Sequence, residues 1–140
     1  MIQLDIDALN ARLFDNMDIL ELQLLVENQP DEDIDETRVW TRWIINPGVS
    51  EETALGANYR VVQYGTVTLQ VFTPKGLYTG PGGDIRDEFN KLFRGWRSED
   101  KKLIIDNLKS QSSTYTKNGQ EFHLINAMAS WRSTRTSTNT

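Results

Sequence analysis

The stretch YRVVQYGTVTLQVFTP, residues 59–74, decides how this chain is read. It is rich in β-branched and aromatic residues and alternates. Val67, Leu69 and Val71 point one way, and Thr66, Thr68 and Gln70 point the other. That period of two is the mark of a half-buried strand. Gly65 interrupts the run and predicts a bulge or a bend between two strand pieces. Pro74 closes it. A strand with one apolar face needs a second layer, and the residues just downstream supply one. After the glycine-rich KGLYTGPGGD, the spacing of Ile85, Phe89, Leu92 and Phe93 predicts a helix with one apolar face. Gly95 stands where a helix C-terminus is expected to need a positive φ.

The other segments are read outward from this unit. Upstream, Ile6, Leu9, Leu13, Met17 and Leu20 recur every three or four residues and predict an amphipathic helix over 5–20. Asp5 or Asp7 is expected to cap its first amides. LELQLLVENQ is ambiguous between a helix extension and a strand; a short strand is favoured. PDEDIDE, residues 30–36, reads as an acidic loop. TRVWTRWIINPG, residues 37–48, predicts a strand with Val39, Trp43 and Ile45 on one face and Trp40 and Ile44 on the other. It is therefore expected to be buried on both sides or to meet a partner. Asn46-Pro47-Gly48 is expected to turn the chain, with SEETALGAN as a loop. Downstream, KKLIIDNL predicts a strand. Asn118-Gly119 predicts a tight hairpin, because both positions tolerate positive φ. The Ser/Thr-rich end, residues 132–140, is expected to be disordered in isolation. If ordered, it would be held by a neighbouring subunit or by a sheet edge of its own chain.

Composition narrows the function. The 140 residues fit one domain, which would bury roughly 68% of the unfolded chain's surface. The absence of cysteine excludes disulfides, thiolate metal sites and cysteine nucleophiles. A single histidine, His123, excludes multi-histidine metal sites, and its strand setting points to a structural role. No apolar run approaches the roughly 20 residues of a membrane span, and no secretory signal is read at the start. The expected setting is a cytoplasm, or something assembled there.

The net charge of −5 is divided unequally. Residues 1–36 carry −10 and residues 37–140 carry +5. An acidic chain without a basic stripe is poorly suited to gripping nucleic acid. The acidic run reads either as a solvated face or as a surface that meets the basic part of a neighbouring subunit.

The glycine loop invites a phosphate-site reading, but neither the Walker nor the dinucleotide spacing is met. Asp84, Asp87 and Glu88 are expected in the helix's first turn. There they would complement its dipole and repel an anion. The acidic loop lacks the spacing of a calcium loop. The tryptophans, at 40, 43, 96 and 131, lack an accompanying basic groove and read as core or interface residues. No catalytic residue, cofactor or metal site is therefore expected, and the chain is not read as an enzyme.

The order of these pieces resembles the tail terminator proteins of long-tailed bacteriophages. The resemblance rests on Gly65, Val67, Leu69, Val71, Phe72, Pro74, Gly76, Phe89 and Phe93, and it covers roughly residues 5–131. The LYTGPGGD loop and the Ser/Thr-rich tail depart from the pattern. The resemblance implies an α+β fold: a single compact domain over residues 1–131, with a mostly antiparallel sheet packed against two α-helices, followed by the 132–140 tail. It implies subunits in a ring, usually of six, on the head-proximal end of the tail tube. Such a ring stops tube polymerisation and offers a surface to the head-completion or connector protein. Its expected partners are therefore other copies of itself, the major tail tube protein and that connector. DNA would pass through the lumen without specific binding, and no membrane is involved. A different head–tail joining ring protein is an alternative. A small anion- or nucleotide-binding module using the glycine loop is another.

Ring joints are expected at Asp31, Glu32 and Asp33 on one side and at Arg94, Arg97, Arg132 and Arg135 on the other. Leu77 and Tyr78 are apolar loop residues expected to meet a partner. The Asn118-Gly119 turn is expected to project toward a neighbour or the tube. Charge reversal at Asp31, Glu32 and Asp33 is predicted to weaken assembly, and more so at low salt. Exposed pairs are screened over about 8–10 Å at ordinary ionic strength. Light scattering across a salt series checks this, and an assembly unaffected at every salt concentration would refute it.

Overall fold

The structure is a computed structural model that describes residues 2–17, 22–26, 34–56, 58–77 and 79–138. Its elements are α1 (Ile2–Phe14), β1 (Leu24–Val26), β2 (Trp40–Leu55), β3 (Asn58–Pro74), α2 (Gly80–Phe93), β4 (Leu103–Lys117) and β5 (Gln120–Thr138). They form a single compact α+β domain with one five-stranded sheet in the order β1-β2-β3-β5-β4. β1 is parallel to β2, and every other pairing is antiparallel.

The alternation in β3 sets the layers. Val67, Leu69 and Val71 are fully buried beneath the helices, where they join Trp43, Ile125, Ala127, Ala129, Trp131 and Leu103. Leu9 and Leu13 of α1 and Phe89 and Phe93 of α2 close that core. Helix α2 opens with Gly80-Pro81-Gly82-Gly83, and each helical glycine costs about 1 kcal/mol relative to alanine. Burying Phe89 and Phe93 contributes roughly 1.5–3 kcal/mol each. Tertiary packing thus outweighs the weak start. Trp43 meets both rings, with centroids 6.3 Å and 6.1 Å away. Gly95 ends the helix at φ +66°, as its position predicted.

Several expectations are corrected. Asn46-Pro47-Gly48 does not turn the chain. It is a bulge in β2, where the register with β3 shifts between Pro47 and Ser50, and pairing resumes at Ser50↔Gln63. Proline lacks an amide hydrogen and is tolerated at such a break. SEETALGAN is accordingly not an extended loop. It carries the paired end of β2 and the turn into β3. Gly65 is not the bulged residue, since β3 keeps an unbroken register with β5 from Asn58↔Thr138 to Pro74↔Phe122. The glycine is required by close packing instead. A Cβ there would lie 2.6 Å from Trp131 Cε2, nearer still to Cζ2, and 2.8 Å from the Asn46 carbonyl oxygen.

Residues 132–138 are strand, and of the two holders expected for an ordered Ser/Thr-rich end it is the chain's own sheet that supplies the pairing. β5 runs through residue 131 without a break and pairs Arg132–Thr138 with Asn58–Tyr64. A buried ionic cluster anchors it. Asp5, 1% exposed, accepts hydrogen bonds from Ser133 Oγ (2.6 Å) and from Arg135 Nε and Nη2 (3.1 and 2.7 Å). Arg135 Nη1 donates to Asp100 Oδ2 at 2.9 Å. Asp5 is therefore not a helix cap: α1 already begins at Ile2, which places Asp5 inside the helix, facing β5. Burial disfavours the charge on Arg135, but hydrogen bonds to Asp5 and Asp100 outweigh this and hold its pKa above the ordinary value. Asp100 also accepts from Ser98 Oγ and the Lys102 amide. Those bonds and the one from Arg135 hold its carboxyl well below the usual range.

Two outcomes are predicted. Gly65→Ala lowers stability by about 1–3 kcal/mol through overpacking, read as a lower midpoint in urea denaturation. For Asp100, whose folded pKa is depressed, the stabilisation is complete above the unfolded value near 4 and is lost as pH falls toward the folded value. Asp100→Asn should therefore flatten the acid limb of a stability–pH profile below about pH 4.

Candidate assembly surfaces

The glycine loop proves to be a packing joint. Thr79 precedes α2 and makes no side-chain capping bond, and no acidic residue lies in the first turn. The expectation that Asp84, Asp87 and Glu88 occupy that turn is corrected, because the helix starts one turn earlier, at Gly80. Gly82 is buried, and a Cβ there would meet Thr73 Oγ1 at 3.0 Å and methyls of Val71 and Ile125 at 3.6 Å. Glycine is needed so that the helix start can lie directly on the sheet. His123 is half-buried on β5, opposite Thr73 and Thr114. Among the described residues, no group of three or more His, Asp or Glu side chains could hold a metal ion.

Asp84 and Glu88 instead line a groove of about 550 Å³ between α2, the start of β2 and the residues that follow α1. Its apolar lining is Met17, Leu22, Val39, Leu77, Pro81 and Ile85, and Arg38 adds a cation. Leu77 is 48% exposed there, as its loop position predicted. Such a surface suits an apolar side chain accompanied by a positive charge. Tyr78, Asp31, Glu32 and Asp33 lie outside the described residues.

The four predicted arginines separate. Three gather around the start of β4. Arg94 lines a small cleft with Asp106, Arg97 bridges to Ile104, and Arg132 is the cross-strand partner of Ile104. Arg132 also lies 3.4 Å from Asp106. All three are exposed. Arg135 is excluded from this surface and from any joint that needs it free, because the cluster with Asp5 and Asp100 buries it. Its neighbours in sequence carry no sign of this; the partners arrive from residues 5 and 100.

Asn118 and Gly119 adopt φ +51° and +79° at the tip of the β4–β5 hairpin. The tip is not isolated. Lys117 Nζ lies 2.7 Å from Glu36 Oε1, and Gln120 Nε2 donates to the Glu36 carbonyl oxygen at 3.4 Å. The hairpin tip and the end of the acidic segment therefore share one surface.

Beside this tip lies a cluster that sequence reasoning did not assemble, on the sheet face away from the helices. Trp40 stacks on Phe72, with centroids 3.9 Å apart and planes 7° apart, and Phe122 meets Trp40 edge-on at 5.7 Å. Tyr115 completes the group against Phe72 at 5.0 Å. The Arg42 guanidinium lies 5.6 Å from the Phe72 ring, and Lys117 Nζ lies 5.5 Å from Trp40. The two-faced pattern predicted for Trp40 and Trp43 was the available signal. Phe72 and Phe122 carry it across neighbouring strands. These rings give the sheet a second, smaller core, which fixes the hairpin tip relative to β2.

No family profile matches the chain, and no curated protein does. Among the solved structures that are similar, one has a TM-score of 0.62, with 17% identity over 95% of this chain and 95% of its own. At that identity the likeness concerns the fold alone.

Proposed function

We propose that this chain is a structural virion protein, a tail terminator. Its subunits form a ring, a hexamer in this reading, that caps the head-proximal end of a phage tail tube. The ring stops tube polymerisation and presents a surface to the head-completion or connector protein. The observation that carries the reading is the joint between β3 and α2. Gly65, Val67, Leu69, Val71, Phe72, Pro74 and Gly76 lie along one strand and its turn, while Phe89 and Phe93 pack back onto that strand. Val67, Leu69, Val71, Phe89 and Phe93 thus share one core, and Phe72 on the same strand anchors the second cluster. The packing role of Gly82 weighs against the alternative of an anion-binding module.

The groove at Leu77 and the arginine group at Arg94, Arg97 and Arg132 lie on different parts of the subunit. A head-to-tail ring uses two unlike surfaces of each copy, so this separation supports the reading. A second ring protein of the head–tail junction would use the same surfaces, and its layer distinguishes it. A terminator sits directly against the tube.

Deleting the gene from a phage that carries it tests the proposal. Electron microscopy is expected to find tails of unregulated length that fail to join heads. Tails of normal length joined to heads would overturn it.

A further inference from the structure

Both lateral edges of the sheet are open for much of their length among the described residues. On one side, β1 covers only Thr41–Trp43 of β2, so no described strand borders β2 from Ile44 to Leu55. On the other side, β4 pairs only with β5, apart from the single bridge of Ile104 to Arg97. An open edge presents unpaired backbone donors and acceptors, and proteins ordinarily blunt it with charge, proline or a bulge. β4 has a bulge between Ile105 and Asn107, and Lys109 follows. The next seven residues, Ser110–Thr116, carry no charge, no proline and no glycine. All but Tyr115 are exposed. On β2, the bulge is followed by Val49, an apolar side chain left 68% exposed, and then by Ser50–Leu55.

The two edges also differ in charge. Beyond their bulges, β4 carries Lys109 and Lys117 with no acid, whereas β2 carries Glu51 and Glu52 with no base. Glu51 is the partner of Val62, and Lys109 is the partner of Met128. The unbroken β3–β5 register puts both positions on the face that bears Phe72 and Leu124. Edges of opposite charge on opposite sides of one sheet complement each other between copies, not within one.

We propose that neighbouring subunits join by sheet extension, with β4 of one copy pairing with the open stretch of β2, residues 44–55, of the next. Lys109 then lies opposite Glu51, on the face that both share, and residues 110–116 lie along residues 44–50. This rests on the ring reading and specifies its joint. Strand direction follows from the topology. Within a subunit β2 and β4 run oppositely. A rotation about an axis roughly along the strands keeps each strand's direction, so β4 meets the next β2 antiparallel. Such pairing joins unlike edges head to tail, which gives a ring where the rotation between copies closes. Main-chain bonds supply affinity, and the flanking charges set register.

Hydrogen exchange on the full-length chain, dilute and then assembled at high concentration or on tails, tests this. Outward-facing amides of residues 107–116 and 44–53 are expected to slow by about tenfold or more on assembly. Lys109→Glu should weaken assembly while leaving the thermal melt of the monomer unchanged. Adding Glu51→Lys to the same chain should restore it. A ring whose edge amides exchange as in the monomer would overturn the inference and leave the ring reading standing. So would protection that appears only when a different protein is added, or a charge swap that restores nothing. A chain that stays monomeric at every concentration and on tails would end both.

Discussion

The buried contact between Asp5 and Arg135 is the constraint on which the rest of the structure leans. Two ions held out of water are costly, and the cost is met only where geometry and additional hydrogen bonds satisfy them. Here Ser133 and Asp100 supply those bonds. The result ties the first helix, the turn ahead of β4 and the last third of β5 into one unit. It also explains why a segment with the composition of a disordered tail is strand. The Ser/Thr-rich end has little apolar surface of its own to bury. It is held by ladder bonds to β3 and by one guanidinium that has nowhere else to go. Removing one member of such a pair leaves an uncompensated buried charge, typically worth 3–5 kcal/mol.

Around that anchor the sheet is asymmetric. One face is covered by two helices and holds most of the large core side chains. The other has only a local aromatic cluster, centred on Trp40 and Phe72 near the hairpin tip. Beyond the cluster this face is largely polar, with Thr66, Gln70, Asn126 and Ser130 in its middle. Among the described residues, neither face therefore offers a broad apolar surface. Among the described residues, the sheet edges, the hairpin tip and the groove at Leu77 are open.

Legibility in the sequence followed the range of the interaction. The strand over 59–74, the helical faces of Leu9, Leu13, Phe89 and Phe93, and the Asn118-Gly119 turn were read from spacing and φ preference. Those signals are local, and the structure bears them out. The role of Gly65 was misread, because the Trp131 ring that forbids a side chain there comes from 66 residues away. The Pro47 region was misread as a turn, because only a paired β3 on both sides of the bulge carries the strand through it. Leu77, Arg94, Arg97 and Arg132 lie at the surface as expected, while Arg135 does not.

By itself, then, the sequence determined the kinds of elements, which faces of them are apolar, and the absence of cysteine and of a second histidine. These follow from periodicity and composition, which need no partner. Tertiary structure alone decided which polar groups are buried and which strand edges stay open. It also decided which glycines are there for packing and not for turning. Each of those depends on what lies across the sheet, and a side chain's neighbours there come from distant parts of the chain.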